Sequence, residues 1–420
     1  MGRQTVKYGA DELMELVDVF NVSEQAQAKI RAILAEEKNP PDAGNFFRYY
    51  NERSKTVEFE KEFAAHVGIK NVLAVNSGTS ALIASMVAAG IGPGDEVIIP
   101  AYTFFATASA VVVAKAIPVI CEINESLTMD PDAFEALIGP RTKAVIPVHM
   151  LGMPSEMDKI CDIAKKHNLV VIEDTAQACG GTYKGRYLGT WGDFGCISLD
   201  AYKVIGSGEG GIVMTNNDWY FTRAQSYHDT AACWRPDRFG KERQEGELFC
   251  GENYRMSELS AAVALAQLRK LDWINSTCRS ICAKIKANVQ LPAGVKWQKP
   301  NDENGVCGYN LGLTFEDQDF SLRAQKAGIV GGNALDNTRG VRNWHMAWYW
   351  EHIIEEKAAT ADGCPFSCPR AAGHPRYTKD SWPKTKDIII RTGLIQVNPF
   401  MTADDVDAII EKINKELPKC

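Results

Sequence analysis

Long apolar runs are missing from this sequence. No stretch of about 18 consecutive apolar residues occurs, and the segment after Met1 lacks the apolar core of a secretory signal. Basic residues are also outnumbered by acidic ones: the chain has 46 Lys and Arg and 53 Asp and Glu, for a net charge of −7. These absences argue against a membrane protein and against electrostatic binding to nucleic acid. We therefore expect a soluble, cytoplasmic protein that binds neither membrane nor nucleic acid.

Cysteines with metal-ligand spacing are few, although the chain has 12 cysteines. They are scattered through a long chain without an export signal, which favours free thiols over a disulfide framework. Cys278 and Cys282 are four residues apart, as are Cys364 and Cys368, and His374 lies near the second pair. A zinc site would need a second close pair with suitable spacing. We predict no metal site and interpret these cysteines as packing residues.

Length and patterning predict an α/β protein with two lobes. The chain has 420 residues, of which 45% are hydrophobic, enough for a large core. Short apolar runs, such as residues 72–75, 96–100 and 117–122, alternate with stretches of helical periodicity. This alternation predicts a mostly parallel sheet with helices on both faces. We expect an N-terminal segment and large domain over residues 1–270, and a smaller α/β domain over residues 271–420.

The most informative stretch runs from residue 170 to residue 216. An apolar run ends in Glu173 and Asp174, a glycine-rich excursion and a second short strand follow, and Lys203 then precedes the glycine turn of residues 206–211. Neighbouring strand residues face opposite sides, so only one of the two acids can face a site, and we choose Asp174. One carboxylate and one lysine at strand ends suit a pyridoxal phosphate (PLP) enzyme. There a lysine forms the Schiff base and an aspartate keeps the pyridinium nitrogen protonated.

Seven segments resemble, in order and spacing, the DegT/DnrJ/EryC1/StrS sugar aminotransferases of PLP fold type I. They are NSGTS (76–80), PAYTFFAT (100–107), EDTAQ (173–177), GD (192–193), SLDAYK (198–203), GEGG (208–211) and GENYRM (251–256). The resemblance extends from about residue 47 to the C-terminus. It implies a large domain with a seven-stranded sheet between helices, and a homodimer that shares its active sites across the interface. It also implies an amino-acid donor and a keto-sugar acceptor.

The resemblance assigns several residues to the cofactor phosphate. The small, hydroxyl-rich turn before residue 81 would present free backbone N–H groups to an anion. The family match makes Gly78 and Thr79 phosphate ligands, and Ser198 matches a phosphate-binding hydroxyl. Plain capping of the helix is the alternative for this turn. Asn253 and Arg255 match a segment that reaches the partner's phosphate across the dimer interface.

The resemblance assigns other residues to the cofactor ring and to catalysis. Phe104 would stack on the ring, with Phe105 as its packing neighbour, and Gln177 would contact the ring substituents. Lys203, once released, would carry a proton between the substrate carbon and the cofactor, which alternates between PLP and pyridoxamine 5'-phosphate. Related dehydratases carry histidine at the lysine position, so Lys203 favours transamination over the alternative, a pyridoxamine-dependent dehydratase or epimerase.

The substrate side is less defined by the sequence. Residues 333–356 are rich in aromatics and include Arg339, Arg342 and His345, which could contact a sugar and an anionic group. The alternative is a packed aromatic helix with solvated arginines. His228 is a further candidate, with a surface role as its alternative. The C-terminal region is more loosely similar to transaminases that make 8-amino-3,8-dideoxy-octulosonate (8-amino-Kdo) for lipopolysaccharide. We therefore expect glutamate as donor and a keto-sugar acid, with a nucleotide-sugar or an aminocyclitol precursor as the alternative.

Overall fold

The computed structural model describes residues 9–37, 54–230, 241–331 and 343–420. Within these ranges the strands, in chain order, are β1 Asn71–Val75, β2 Glu96–Pro100, β3 Ile117–Cys121, β4 Thr142–Val145, β5 Val170–Asp174, β6 Thr182–Tyr183, β7 Arg186–Tyr187, β8 Phe194–Ser198, β9 Gly211–Thr215, β10 Val295–Trp297, β11 Asn310–Phe315 and β12 Thr392–Gln396.

The α-helices of the same ranges alternate with these strands. In chain order they are α1 Ala10–Val19, α2 Glu24–Glu36, α3 Lys55–Val67, α4 Gly78–Ala88, α5 Ala106–Val113, α6 Pro131–Ala136, α7 Met157–Lys166, α8 Asp218–His228, α9 Glu258–Leu268, α10 Leu271–Asn288, α11 Gln318–Lys326, α12 Glu351–Ile354, α13 Pro383–Ile390 and α14 Ala403–Glu416. None of the described helices has both the length and the apolar character needed to cross a bilayer.

One seven-stranded sheet organises the large domain. Its strand order is β1-β9-β8-β5-β4-β2-β3, and only the two pairings of β9 are antiparallel. The predicted fold, a mostly parallel seven-stranded sheet between helices, is therefore confirmed. Because the central strands are parallel, their carboxyl ends meet at one edge of the sheet, where loops can gather polar side chains.

Burial on both faces explains why the central strands are apolar throughout. In β2, Val97 and Ile99 pack with α4 and α5 on one face, whereas Ile98 packs with α6 and α7 on the other. Every residue of β2 is buried. A strand covered on both faces has no solvent side, so it loses the polar alternation of an amphipathic strand.

The C-terminal part of the chain contributes to two cores. The antiparallel sheet β10-β11-β12 packs with α10, α11 and α14 around a separate core. Met346, Trp348 and Trp350, by contrast, are buried with α4 and α5 against the large sheet. This segment therefore packs on the large domain although it follows residue 270 in the sequence. The domain boundary at residue 270 stays a prediction.

Glu173, the neighbour of Asp174 on β5, holds the glycine-rich loop against the sheet through hydrogen bonds. Its carboxylate is fully buried and accepts the backbone N–H groups of Gly189, Trp191 and Gly192 at 2.8, 2.6 and 2.7 Å. It also lies 3.0 Å from Nε2 of His149. Because the Ser155 N–H donates to Nδ1 of that ring, Nε2 carries the proton and donates to Glu173.

Replacing Glu173 by alanine should destabilise the protein strongly. The change leaves several buried donors without an acceptor, so we expect the free energy of unfolding to fall by about 3 kcal/mol or more. Urea unfolding measures the effect, with Glu411→Ala on the exposed face of α14 as the matched control, expected within about 0.5 kcal/mol of wild type. Equal unfolding midpoints for the two variants would contradict this account of Glu173.

Candidate active site

A cavity of about 570 Å³ lies where β2, β5 and β8 end and α4 begins. Eight residues selected from the sequence line it, and they come from five separate segments of the chain: Gly78, Thr79, Phe104, Asp174, Gln177, Ser198, Lys203 and His345.

The N-terminus of α4 forms one end of the cavity. Ser77 caps the helix, since its Oγ accepts the N–H of Ser80 at 3.0 Å. The amides of Gly78 and Thr79 belong to the first turn, which has no intrahelical acceptors, and no acidic residue occupies that turn. A Cβ on Gly78 would lie 2.7 Å from Cβ of Ser198, so only glycine allows this approach. Capping by Ser77 therefore leaves the amides of Gly78 and Thr79 available to an anion, and a phosphate fits at this turn.

Asp174 presents a buried carboxylate to the cavity. Its Oδ2 accepts the hydroxyl of Thr107 at 2.8 Å, and its Oδ1 accepts the N–H of Ala176 at 3.1 Å. Thr107 is in turn 2.7 Å from the hydroxyl of Thr103. Burial raises the pKa of Asp174 above its ordinary value, although these hydrogen bonds and the charge of Lys203 oppose that rise. A protonated ring nitrogen placed against this carboxylate would favour its ionised form.

Phe104 and Phe105 face different surroundings. Phe104 lines the cavity and is 45% exposed, a large exposed apolar area that a flat ring would cover. Phe105 packs against Trp344, Trp350 and His352, with ring centroids 5.3 to 5.8 Å apart. The next ring along the cavity wall is that of His345, whose centroid is 5.4 Å from that of Phe104.

Lys203 enters the cavity from a tight turn after β8. Its backbone N–H donates to the carbonyl of Asp200 at 3.0 Å, and its half-buried side chain lines the cavity. A Cβ on Gly206 would lie 2.7 Å from that same carbonyl oxygen, which explains the glycine at this position. Burial is the main cause of the pKa shifts of Asp174 and His345, and the charge of Lys203 opposes the rise in the pKa of Asp174 and adds to the fall in that of His345.

These features together fit PLP. The free amides of α4 suit a phosphate, the buried Asp174 suits a ring nitrogen, Phe104 suits a ring face, and Lys203 supplies an amine. Gln177 lies beside them, and its Oε1 accepts the N–H of Leu151 at 3.0 Å, so its orientation is fixed.

The sequence did not identify Thr107, although this residue positions Asp174. It falls inside the segment 100–107, and Thr103 lies four residues before it, just ahead of α5. That spacing was a usable signal. The partner of the pair, Asp174, lies 67 residues further on and could not be inferred from it.

Several other candidates do not enter the cavity in this chain. His228 is buried at the end of α8, where Nδ1 donates to the carbonyl of Gln225, because the helix turns its side chain inward. Arg255 forms an ion pair with the buried Asp229, and its backbone pairs with Val75 at the end of β1. Asn253 lies beside it, with Oδ1 accepting the Arg255 N–H at 3.4 Å. A role for Asn253 and Arg255 towards a partner's phosphate stays a prediction.

Arg339 and Arg342 lie outside the described residues. Across the ranges that the structure describes, no group of three or more metal-ligating side chains occurs. His374, near the second cysteine pair, uses both ring nitrogens elsewhere, at 2.9 Å from the carbonyl oxygen of Ala371 and 3.1 Å from Oε1 of Glu356.

Residues 45–322 match the sequence profile of the DegT/DnrJ/EryC1/StrS aminotransferase family. A GDP-perosamine synthase of Caulobacter vibrioides is 44% identical over 223 residues, which cover 51% of this chain and only 57% of that protein. The spore coat polysaccharide biosynthesis protein SpsC of Bacillus subtilis is 34% identical over 370 residues, 86% of this chain and 88% of that protein.

Solved structures show the same fold along most of the chain. DesV of S. venezuelae has a TM-score of 0.67 at 27% identity, covering 86% of this chain and 89% of DesV. An aminotransferase from Psychrobacter cryohalolentis has a TM-score of 0.70 at 26% identity, covering 90% of this chain and 94% of that chain.

Asp174→Asn should have opposite effects on the cofactor-free and cofactor-loaded proteins. The folded-state pKa of Asp174 lies above its ordinary value of 3.8, so wild type loses stability as pH rises through that folded pKa. Asparagine carries no charge. The cofactor-free variant should therefore gain stability over wild type as the pH rises above the ordinary pKa of 3.8, by about 1.4 kcal/mol for each unit of the pKa shift.

Thermal unfolding at several pH values, with and without PLP, measures this difference. With PLP bound the order should reverse, because only wild type offers a carboxylate to the ring nitrogen. A stability difference that does not change with pH would contradict the assignment of Asp174. Thr385→Val, at a buried threonine remote from the cavity, serves as the control for loss of a buried polar contact.

Proposed function

Since this chain belongs to the DegT/DnrJ/EryC1/StrS aminotransferase family and is a PLP-dependent sugar aminotransferase, we propose that it moves an amino group from glutamate to a keto-sugar. The observation that supports this proposal most directly is that Lys203 and Asp174 line one cavity together with the open N-terminus of α4. A covalent amine, a ring-nitrogen partner and an anion site are thereby brought within the reach of one cofactor.

Each residue has a distinct task in the proposed reaction. When bound, PLP supplies an electrophilic carbonyl carbon and an electron sink. Lys203 would hold the cofactor covalently through its amine and, once free, would move a proton at the donor's α-carbon. Asp174 would keep the ring nitrogen protonated, and Thr107 orients Asp174 through its hydroxyl. The amides of Gly78 and Thr79 would hold the phosphate, and Phe104 would offer its exposed face to the ring.

The second candidate reaction, dehydration or epimerisation with pyridoxamine phosphate, is less well supported. Lysine stands at position 203, where the related dehydratases carry histidine, and its side chain lies in the cavity. A lysine there can accept the cofactor back at the end of each turnover, which transamination requires.

Two substrate classes remain as proposals. The looser resemblance of the C-terminal region supports a keto-sugar acid that yields 8-amino-Kdo. The similarity to a GDP-perosamine synthase supports a nucleotide-linked sugar, although that alignment spans 57% of the relative. We favour the keto-sugar acid over the nucleotide-linked keto-sugar. The two classes can be distinguished experimentally by testing the amino sugar that each would yield.

The experiment is a set of half-reactions on the PLP-loaded enzyme. Glutamate, glutamine, 8-amino-Kdo and GDP-perosamine are added separately, and loss of the cofactor's absorbance near the visible edge reports transfer of the amino group. Reaction with glutamate and one amino sugar establishes donor and acceptor together. If none of these amino donors reacts while PLP stays bound, transamination is contradicted and the dehydratase reaction is favoured.

Lys203→Ala should abolish the half-reaction while leaving the fold intact. Loss of the proton-transferring amine should slow the reaction by about a thousandfold or more, since general acid–base catalysis contributes about 10²–10⁴-fold. Stopped-flow absorbance measures the rate, and Lys166→Ala, an exposed lysine on α7, is the matched control. A rate within tenfold of wild type would exclude Lys203 as the reactive amine.

A further inference from the structure

His345 lies at the boundary between two cavities. It lines the cofactor cavity, and it also lines a second cavity of about 180 Å³ that is bordered by Tyr102, Met150, Leu151 and Leu394. The second cavity is mostly apolar along its described walls. A substrate attached to the cofactor and extending into this space would pass the imidazole of His345.

Main-chain pairing fixes the position of this imidazole. The N–H of Thr103 donates to the carbonyl of His345 at 2.9 Å, and the N–H of Ala347 donates to the carbonyl of Ala101 at 2.9 Å. Residues 345–347 therefore run beside the chain that leads from β2 to Phe104. The ring of His345 is held next to Phe104 by backbone hydrogen bonds and not by side-chain packing alone.

Asn343 determines which ring nitrogen of His345 carries the proton. Oδ1 of Asn343 lies 3.1 Å from the backbone N of His345 and 3.2 Å from Nδ1 of its ring. A backbone N–H can only donate, so the atom facing it must be the amide oxygen and not the amide nitrogen. Nδ1 then faces an acceptor and must itself carry a hydrogen. The amide of Asn343 thus selects the Nδ1–H form.

The imidazole is neutral at physiological pH. Burial, together with the positive charge of Lys203, lowers the pKa of His345 to about 4. A neutral ring with hydrogen on Nδ1 has a lone pair on Nε2, and no described residue hydrogen-bonds to that atom. Nε2 is therefore an acceptor beside the reactive lysine.

We propose that His345 is a sugar-binding residue whose Nε2 accepts a hydrogen bond from a hydroxyl of the keto-sugar, and that Asn343 is the positioning residue that fixes this tautomer. The proposal rests on the proposed sugar aminotransferase function and adds the chemistry of the group recognised. An acceptor lone pair attracts a hydroxyl donor and repels a carboxylate or phosphate oxygen. The substrate therefore presents a neutral hydroxyl at this position, and any acidic group binds elsewhere.

The first test reads the tautomer directly. Nitrogen-15 spectra of the histidine rings in the PLP-loaded protein distinguish the two neutral forms, and His345→Gln assigns the signal among the seven histidines. We expect hydrogen on Nδ1 in wild type and in Asn343→Asp, which retains the acceptor oxygen. Asn343→Ala should give a mixture of tautomers. Hydrogen on Nε2 in wild type would overturn the proposal, even if the enzyme is active.

The second test separates the sugar from the amino donor. We expect Asn343→Ala and His345→Gln to slow the half-reaction of the reactive amino sugar, 8-amino-Kdo or GDP-perosamine, by about tenfold through the lost hydrogen bond. In both variants the rate of the glutamate half-reaction should stay within about threefold of wild type. Asn343→Asp should retain more of the rate with the amino sugar than Asn343→Ala does. Asn304→Ala, at an exposed asparagine, is the control.

The outcomes distinguish this proposal from the one on which it rests. Parallel losses for glutamate and amino sugar would assign a structural role to Asn343 and His345 and overturn the proposal. If neither amino sugar reacts but glutamate does, the proposed substrate classes fail, and the nitrogen spectrum still decides the tautomer. Unchanged sugar rates in both variants, with glutamate also unchanged, would show that Nε2 binds no hydroxyl.

Discussion

The site depends on one constraint, a carboxylate kept in a buried position at the end of β5. Asp174 is held by one hydroxyl and one backbone amide, which together are too few to satisfy a buried charge, and its pKa is accordingly raised. The protein therefore carries an unfavourable charge that a cationic ring nitrogen would neutralise. Binding of a protonated ring nitrogen would therefore relieve this cost and stabilise the folded protein.

Of the two acids at the end of β5, one has a structural role and the other faces the cavity. Strand alternation sends Glu173 to one face, where loop amides and His149 satisfy it fully, and sends Asp174 to the other face. The fully bonded Glu173 fixes residues 189–192 against the sheet. The incompletely bonded Asp174 remains available to a ligand. Two neighbouring acids therefore have separate roles at this sheet edge: Glu173 holds the loop, and Asp174 is available to a ligand.

The proposed substrate side is built differently, by a segment distant in the sequence. Residues 343–347 pair with the backbone that leads to Phe104, and an asparagine side chain orients the histidine ring. The cofactor side is made mostly from turns that follow strands of the large sheet. If the proposed role of His345 holds, variation in residues 343–347 would change the sugar accepted without disturbing the cavity residues of the large sheet, because loops on a rigid scaffold can vary independently of it.

The sequence by itself determined the fold class, the choice of Asp174 over Glu173 and the selection of Gly78, Thr79, Phe104, Ser198 and Lys203 as cavity residues. The fold class follows from local patterns of apolar runs and strand alternation, whereas the individual cavity residues were selected through the resemblance of short segments to the family. Only the tertiary structure decided that Thr107 orients Asp174, that Asn343 orients His345, and that His228 turns inward, away from the cavity. Each of these depends on the rotation of a side chain or on the pairing of segments far apart in the chain. Neither leaves a periodic trace in the sequence, because hydrogen bonds between distant segments are selected by the packing of the whole fold.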